Sequence, residues 1–259
     1  MSSVRGANIR ALQKLGNKIL DGIVAEPKAT KAPRKAAPGH RDISRMKVHS
    51  PNKAKRPRGR PAKDDTRQRI LDAALLTFAA RGYHGTTVPE VAQAAGVATG
   101  TLYNHFVDKQ QMVNVVYRAA KARLKGALLD GLGEPDLDAD DGAEVWFKAL
   151  WQRLSAFATA EPDAFRFLEL QDHVEYLDAE SRALELSVLA PLWLAGKRLR
   201  DRAGGPPVDI AIALLWGAFV GVVKAGRLGY LPLDAKKLEQ AGAAAWRLIA
   251  PPSRSKKGH

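Results

Sequence analysis

Residues 87–109, TVPEVAQAAGVATGTLYNHFVDK, combine small, hydroxylated and hydrogen-bonding side chains in a spacing that suits contact with DNA. The pattern predicts one short helix from about Val88 to Ala94 and a second that begins near Ala98 or Thr99. Small or polar side chains dominate the second helix, namely Thr99, Gly100, Thr101, Tyr103, Asn104 and His105. A helix with such a first turn can enter the major groove, where each base pair shows its own donors and acceptors. The segment therefore predicts a DNA-binding helical hairpin.

The residues around the two helices favour the same structure. Thr87 and Glu90 have the spacing of a capping box. In that motif the Thr87 hydroxyl accepts from the backbone N–H of Glu90, and the Glu90 carboxylate accepts from the backbone N–H of Thr87. Pro89 lies in the first turn, where its missing N–H costs nothing. Gly96 can take the positive φ that the turn needs. Ala98 has no side-chain acceptor, so the sequence leaves open whether Thr99 caps the second helix and shifts its start by one residue.

From Thr66 to about Tyr117 the chain resembles the DNA-binding domain of the TetR/AcrR family of transcriptional repressors. The matching segments are TRQRILDAA (66–74), FAARGY (78–83), Thr86-Thr87, AAGV (94–97), GTLYNHF (100–106) and Lys109. Many family members have Ser-Lys before the glycine where this chain has Ala98-Thr99, so the resemblance does not supply the operator sequence.

The resemblance implies specific DNA contacts. Phosphates would be held by Thr87, Tyr103, His105 and Lys109, and base edges would face Thr99, Gly100 and Thr101. Phosphate contacts set position and salt dependence, while base contacts set sequence choice. The full set expected to contact DNA through this domain is Arg67, Thr86, Thr87, Thr99, Gly100, Thr101, Tyr103, Asn104, His105 and Lys109.

The net charge of +14 comes entirely from the first 63 residues, which hold 17 Lys or Arg and 3 Asp or Glu. Residues 64–259 hold 24 basic and 24 acidic residues and are therefore neutral overall. This composition predicts a disordered tail with a nucleic-acid partner. Residues 55–61, KRPRGRP, resemble an AT-hook: Gly59 would let the backbone approach the floor of an A·T-rich minor groove while Arg58 and Arg60 extend along it. The alternative is a solvated basic linker.

Composition also limits the remaining possibilities. The chain has 259 residues and no Cys, which excludes disulfides and thiolate zinc sites, and its 6 His show no metal-ligand spacing. No phosphate loop, nucleophile elbow or paired catalytic groups support an enzyme, so neither a metal nor a cofactor is expected. The longest apolar run, Ile210 to Val223, is shorter than the roughly 20 residues of a membrane span and predicts a buried helix. Cytoplasm, in association with nucleoid DNA, is the expected compartment.

Helical periodicity continues to the end of the chain, so the predicted fold is all-α. A basic tail (1–63) would precede a three-helix DNA-binding domain (64–124, helix-turn-helix 87–106), a larger helical domain (125–252) and a basic end (253–259). Helices are predicted at about 108–129, 142–160, 178–202, 208–228 and 234–249, with Pro191 expected to kink the third of these.

The same resemblance implies that the larger domain binds a small molecule and forms a homodimer through residues 208–228 and 234–250. Small residues in those two helices would allow close approach: Gly217, Ala218, Gly221, Ala241, Ala244 and Ala245. Ordinary packing within one chain is the alternative. The candidate pocket residues are Trp146, Trp151, Phe165, Phe167, Gln171, His173, Tyr176 and Trp193.

Two functions remain open at this point. The first is a dimeric transcriptional regulator, a repressor released from DNA by an unknown small molecule. The second is an architectural protein that coats A·T-rich DNA and has no ligand. A footprint confined to one short site would favour the first, and broad coverage of A·T-rich DNA would favour the second.

Overall fold

The computed structural model describes residues 63–173 and 175–250. The basic tail with its AT-hook-like motif, including Arg58, Gly59 and Arg60, lies outside the described residues, and so does the end of the chain from residue 251. The predictions for both segments therefore stay predictions.

Within the described residues every regular element is an α-helix, which confirms the predicted fold class. The helices in chain order are α1 (Lys63–Arg81), α2 (Val88–Ala94), α3 (Thr99–Tyr103), α4 (Lys109–Leu129), α5 (Gly142–Ala160), α6 (Pro162–Glu169), α7 (Ala179–Ala203), α8 (Val208–Arg227) and α9 (Ala235–Ile249). Helix α7 continues through Pro191.

Aspartate side chains fix the starts of three of the longer helices. Asp108 accepts a hydrogen bond from the backbone N–H of Gln111 at 2.6 Å, ahead of α4. Asp178 accepts from the backbone N–H of Ser181 at 2.8 Å ahead of α7, and Asp234 accepts from that of Lys237 at 2.7 Å ahead of α9. Each carboxylate satisfies an N–H that has no partner inside the helix, so the chain begins to coil at these residues.

One hydrophobic core runs from the helix-turn-helix into the larger helical part. Phe78, Leu102 and Phe106 are buried between α1, α3 and the start of α4, and Phe106 is a core residue rather than a DNA contact. Helix α4 buries Met112, Val113, Tyr117, Leu124 and Leu128 along its length, and packs against α5, α6 and α7. It therefore joins the DNA-binding part directly to the rest of the chain.

Helix α8 differs from its prediction, because it is not a buried helix in this single chain. It is long and apolar enough to cross a membrane by length and composition, with a mean hydropathy of 1.9, yet only 11% of that stretch is buried. Phe219 and Val208 are its buried residues. The rest of its apolar surface is partly or fully exposed, which the periodicity of one sequence could not reveal, since it marks apolar faces but not what covers them.

Candidate DNA-reading helices and apolar cavity

The capping box at the start of α2 is present as predicted. The backbone N–H and the hydroxyl of Thr87 both donate to Oε2 of Glu90, at 2.8 and 2.9 Å, and the Glu90 N–H donates to the Thr87 hydroxyl at 3.4 Å. Arg81 also donates to the Glu90 carboxylate. Together these bonds lower the pKa of Glu90, and the backbone N–H of Thr87 is the main cause. The carboxylate is thus ionised, and α2 has a fixed start.

Helix α3 begins without a side-chain cap. Ala98 is the N-cap residue, with φ −69° and ψ 145°, and its carbonyl accepts from the N–H of Thr101 at 2.9 Å. The possibility that Thr99 caps the helix is therefore wrong, because Thr99 is already its first residue. Gly96 has the expected positive φ of 65°. The Thr99 hydroxyl is consequently not used as a cap of α3.

Most of the residues expected to contact DNA lie on an accessible surface. Thr87, Gly100, Asn104 and Arg67 are exposed, and Tyr103 leaves 53% of its surface free. Thr99, Thr101 and His105 are half-buried. The Arg67 guanidinium lies 5.5 Å from the centroid of the Phe106 ring, which places this side chain of α1 beside the residues that follow α3.

Two residues expected to contact DNA form side-chain hydrogen bonds within the protein instead. Thr86 has no exposed surface, and its hydroxyl donates to the carbonyl of Gly82 at 2.8 Å, so its side chain cannot reach a phosphate. The Lys109 ammonium donates to the carbonyls of Tyr83 and Thr86 at 2.9 and 3.0 Å, and lies 4.1 Å from the Tyr83 ring centroid. Lys109 therefore fastens the loop before α2 to α4, which leaves one N–H for any phosphate.

A cavity of about 130 Å³ lies between α5, α7, α8 and α9, with Leu128 at the end of α4 forming part of its wall. Its lining is almost entirely apolar, and Arg200 is the charged residue in it. The indole N–H groups of Trp146 and Trp151 donate to the backbone carbonyls of Gly133 and Leu238, at 3.0 and 2.8 Å. These donors are already satisfied, so the cavity offers a ligand chiefly hydrocarbon contact.

Only two of the eight predicted pocket residues, Trp146 and Trp151, line this cavity. Phe165 and Phe167 are instead fully buried in the core. Trp193 is half-buried on α7 and is absent from the cavity wall. Gln171 hydrogen-bonds the carbonyl of Ala79 in α1 at 3.4 Å, away from the cavity.

The other two predicted pocket residues belong to a contact between the α6–α7 connection and the DNA-binding part. His173 Nε2 lies 2.6 Å from the carbonyl of Phe167, and its Nδ1 lies 2.5 Å from the Tyr176 hydroxyl. The Tyr176 ring stacks on that of Tyr83 with centroids 4.3 Å apart. Burial is the main cause that lowers the pKa of His173. A neutral ring fits this geometry, with Nε2 carrying the proton that it donates to the carbonyl and Nδ1 accepting from the Tyr176 hydroxyl.

The cavity residues that the sequence did not single out come mainly from α8 and α9, including Trp216 and Trp246, and from the end of α7, including Arg200. Both terminal helices are expected from the sequence to form a dimer interface, and only the three-dimensional arrangement shows that a second face of each helix lines the cavity. Trp216 and Trp246 could have indicated this second face, since a large aromatic side chain usually packs against other residues.

Comparison with known proteins decides the family. The family described as bacterial regulatory proteins, tetR family, matches residues 70–116. The HTH-type transcriptional repressor KstR2 of Rhodococcus jostii (strain RHA1) is 30% identical over 164 residues, which cover 60% of this chain and 77% of that protein. The chain belongs to the tetR family. KstR2 of Mycolicibacterium smegmatis is 32% identical over 128 residues, covering 48% of this chain and 62% of that protein.

Solved structures of TetR regulators share the fold. One from Marinobacter aquaeolei VT8 superposes with a TM-score of 0.60 at 23% identity, covering 72% of this chain and 96% of that one. The regulator FadR of Bacillus subtilis, solved in complex with stearoyl-CoA, gives a TM-score of 0.52 at 18% identity, covering 71% and 98%. This TetR-family chain is accordingly a DNA-binding transcriptional regulator, and nothing in these comparisons points to an architectural DNA-coating protein.

Proposed function

We propose that this chain is a dimeric repressor that reads a near-palindromic operator with two copies of α3 and leaves the DNA when the apolar part of a ligand occupies the cavity. The observation that carries the proposal is the apolar cavity, bounded by α5, α7, α8 and α9, in a chain whose α3 presents an exposed Gly100 and Tyr103. The relatives named as repressors support the direction of regulation. The proposed compartment is the cytoplasm, on nucleoid DNA.

The cavity wall specifies the chemistry of the ligand. A dry apolar cavity of roughly 150 Å³ accepts a molecule the size of benzene, so a space of this size suits an apolar ring or part of an aliphatic chain. Polar groups inside it would lose their hydration without a replacement partner, at about 1–3 kcal/mol each. Arg200 is an exposed residue of the cavity wall and forms no ion pair among the described residues, so it is suited to an anionic group outside the cavity. A hydrocarbon group with an anionic head fits this arrangement.

The exposed stripe of α8 supports the proposed dimer. Ile210, Leu214, Gly217, Gly221 and Leu228 follow one another at helical spacing and are all exposed. A Cβ built at Gly217 or Gly221 meets no atom within 4 Å. Close approach of a second copy along this stripe would cover apolar surface that one chain leaves in water. Ala245, by contrast, is buried within the chain and does not belong to this surface.

DNA contacts are proposed for the exposed or half-buried residues of the reading surface and for Arg58, Gly59 and Arg60 of the tail. If the tail enters the minor groove, removal of residues 1–62 lowers the affinity and reduces the slope of log K against log salt by about 0.9 for each lost phosphate contact. An unchanged slope would show that the tail is a linker without DNA contacts.

The ligand proposal is tested with a duplex selected by the protein from a random DNA library. Fluorescence anisotropy measures operator affinity with and without stearoyl-CoA, which combines an apolar chain with an anionic head. We expect stearoyl-CoA to weaken operator binding at least about fivefold, within the usual range of coupling between two sites. Substitution of Leu150→Trp, which fills the cavity, is expected to abolish the effect and leave operator affinity without ligand within about threefold. Operator binding that ignores stearoyl-CoA although the compound binds the protein would contradict the proposal.

A further inference from the structure

Tyr83, in the loop between α1 and α2, is held by two other parts of the chain. The ammonium of Lys109, the first residue of α4, lies 4.1 Å from the centroid of the Tyr83 ring and donates to the Tyr83 carbonyl at 2.9 Å. The ring of Tyr176, ahead of α7, stacks on the Tyr83 ring with the centroids 4.3 Å apart and the planes at 25°. A cation and a second ring are both attractive neighbours for an aromatic side chain, so the loop is fixed at this residue.

The backbone of Tyr176 is fastened to α4 by a buried amide. Asn114 is only 1% exposed, and its Nδ2 donates to the carbonyls of Gln110 and Tyr176, at 2.9 and 2.8 Å. Its Oδ1 accepts from the backbone N–H of Asp178 and from the hydroxyl of Ser181, both at 2.9 Å. Every hydrogen-bonding group of this amide is paired, and a shift of Tyr176 would leave some of them buried without a partner. Tyr176 therefore has one favoured position against α4.

The loop that contains Tyr83 determines where the DNA-reading hairpin starts. Lys109 also donates to the carbonyl of Thr86 at 3.0 Å, and the next residue, Thr87, is the N-cap of α2. Helix α3 follows α2 after a short turn and packs against it. The contacts on Tyr83 thus act on the position of both helices relative to α4.

A second contact between the same two segments is weaker. His84 Nε2 and Glu175 Oε2 lie 3.1 Å apart, but the two side chains are 79% and 75% exposed. Such a pair contributes little, since water and salt screen it and both side chains lose freedom when it forms. Tyr176, by contrast, is buried. The stack of the two tyrosines is accordingly the contact that can hold the loop.

We propose that Tyr176 is a positioning residue for DNA recognition: its ring holds the loop before α2 at a fixed place on α4, and so fixes the direction in which α3 points. In the proposed dimer, on which this step rests, that direction sets the distance and rotation between the two copies of α3. A dimer reads two half-sites whose spacing must match that geometry. Because Tyr176 is buried, it acts through Tyr83 rather than by a contact with DNA.

The first test removes the ring and then restores it. Operator affinity is measured by fluorescence anisotropy on the duplex that the parent selects from a random DNA library, with circular dichroism as the check on folding. We expect Tyr176→Leu to weaken binding about three- to tenfold, within the range of one aromatic pair, and Tyr176→Phe, which keeps the stacked ring, to bind within about twofold of the parent. Phe165→Leu is the matched control, because the buried ring of Phe165 meets Phe219 of α8 rather than Tyr83. This control should also bind within about twofold of the parent.

The second test measures the geometry itself, which a residue with a purely structural role would not change. The two half-sites of the selected duplex are moved one base pair apart, which rotates one against the other by about one-tenth of a turn. We expect the parent to lose at least about tenfold in affinity on this duplex, and Tyr176→Leu to lose less than about threefold, because its hairpin is held less firmly and adapts to the new spacing. A loss of affinity on the altered duplex that is the same in both proteins would overturn the proposal.

The third test concerns the two tyrosines and needs no dimer. Operator affinity is compared for Tyr83→Leu, Tyr176→Leu and the double variant. Because both substitutions remove the same stack, the double variant should lose no more than about twofold beyond the weaker-binding single variant. Losses that multiply would show that the two rings act separately, and would refute the role of Tyr176.

The positioning role and the proposed dimer fail in different ways. A parent that selects DNA without an inverted repeat would contradict the dimer. The dependence of Tyr176→Leu on Tyr83→Leu, measured on that DNA, would still support or refute the contact. A parent that selects an inverted repeat while Tyr176→Leu keeps both its affinity and its preference for spacing would refute only the positioning role.

Discussion

At the scale of single residues, the two helices of the DNA-reading hairpin differ in how they begin. Thr87 gives α2 a complete capping box, whereas Ala98 gives α3 only a backbone carbonyl. The backbone of Ala98 already has the extended conformation that an N-cap residue needs. The reading helix is therefore held mainly by Leu102 and Phe106 beneath it, both of which are buried.

We expect Ala98→Ser to stabilise the protein by about 0.5–2 kcal/mol, because a hydroxyl at this position can accept from an unpaired N–H of α3. Urea unfolding followed by circular dichroism measures the change. Thr87→Ala is the matched variant and should lose a similar amount at α2. An Ala98→Ser protein no more stable than the parent would show that α3 is positioned by packing alone.

His173 gives the protein a specific sensitivity to acid. Its folded pKa is lowered by burial, so the unfolded chain binds the proton more readily. Stability from the neutral ring is fully present above the unfolded pKa of about 6.5 and is lost as the pH falls from there through the lower folded pKa. We expect the melting temperature to fall between pH 7.5 and 5.5 more steeply in the parent than in His173→Gln, which cannot titrate. Equal slopes for the two proteins would contradict this assignment.

At the scale of the elements, local signals predicted the helices well. The sequence began three predicted helices at Asp108, Asp178 and Asp234, and the structure makes each of these residues the N-cap of a helix that begins one residue later. These starts were predictable because a capping bond involves only neighbouring residues. The cavity was predicted poorly. Phe165, Phe167 and Tyr176 have the same apolar character as true wall residues, and only the packing of distant helices decides which of them face an empty space.

Gly242 of α9 shows how closely two cavity helices approach. A Cβ at this residue would lie 2.7 Å from Cδ1 of Trp151. We expect Gly242→Ala to push the indole aside and cost about 1–3 kcal/mol through overpacking. Thermal unfolding measures the loss, and Trp151→Phe in the same chain should recover part of it, because the clashing five-membered ring is gone. A neutral Gly242→Ala would mean that α9 can move away from α5.

At the scale of the whole molecule, α8 connects two proposed activities. Its inner face, with Leu215 and Trp216, lines the cavity, and its exposed face carries Ile210 and Leu214. Occupancy of the cavity and the geometry of a dimer would therefore act on the same helix. The proposed dimer would account for the high hydropathy of α8, because the helix would then make apolar contacts on both faces.

If the proposed dimer forms through this face, we expect Leu214→Glu to convert it into a monomer, because the substitution places a charge in the middle of the exposed apolar stripe. Sedimentation velocity measures the change in mass. Leu76→Glu is the control, since Leu76 is also an exposed leucine but lies on α1, outside the stripe. A parent that sediments as a monomer, or a Leu214→Glu variant that remains dimeric, would show that this face is not the interface.

The DNA sequence that the full-length protein selects from a random library tests the central claim most directly. Two copies of α3 related by a two-fold axis predict a near-palindrome whose half-sites lie one helical turn, or a small multiple of it, apart. The same selection with Tyr103→Ala should recover this motif weakly or not at all. Enrichment of A·T-rich DNA without an inverted repeat, unchanged by Tyr103→Ala, would contradict the account.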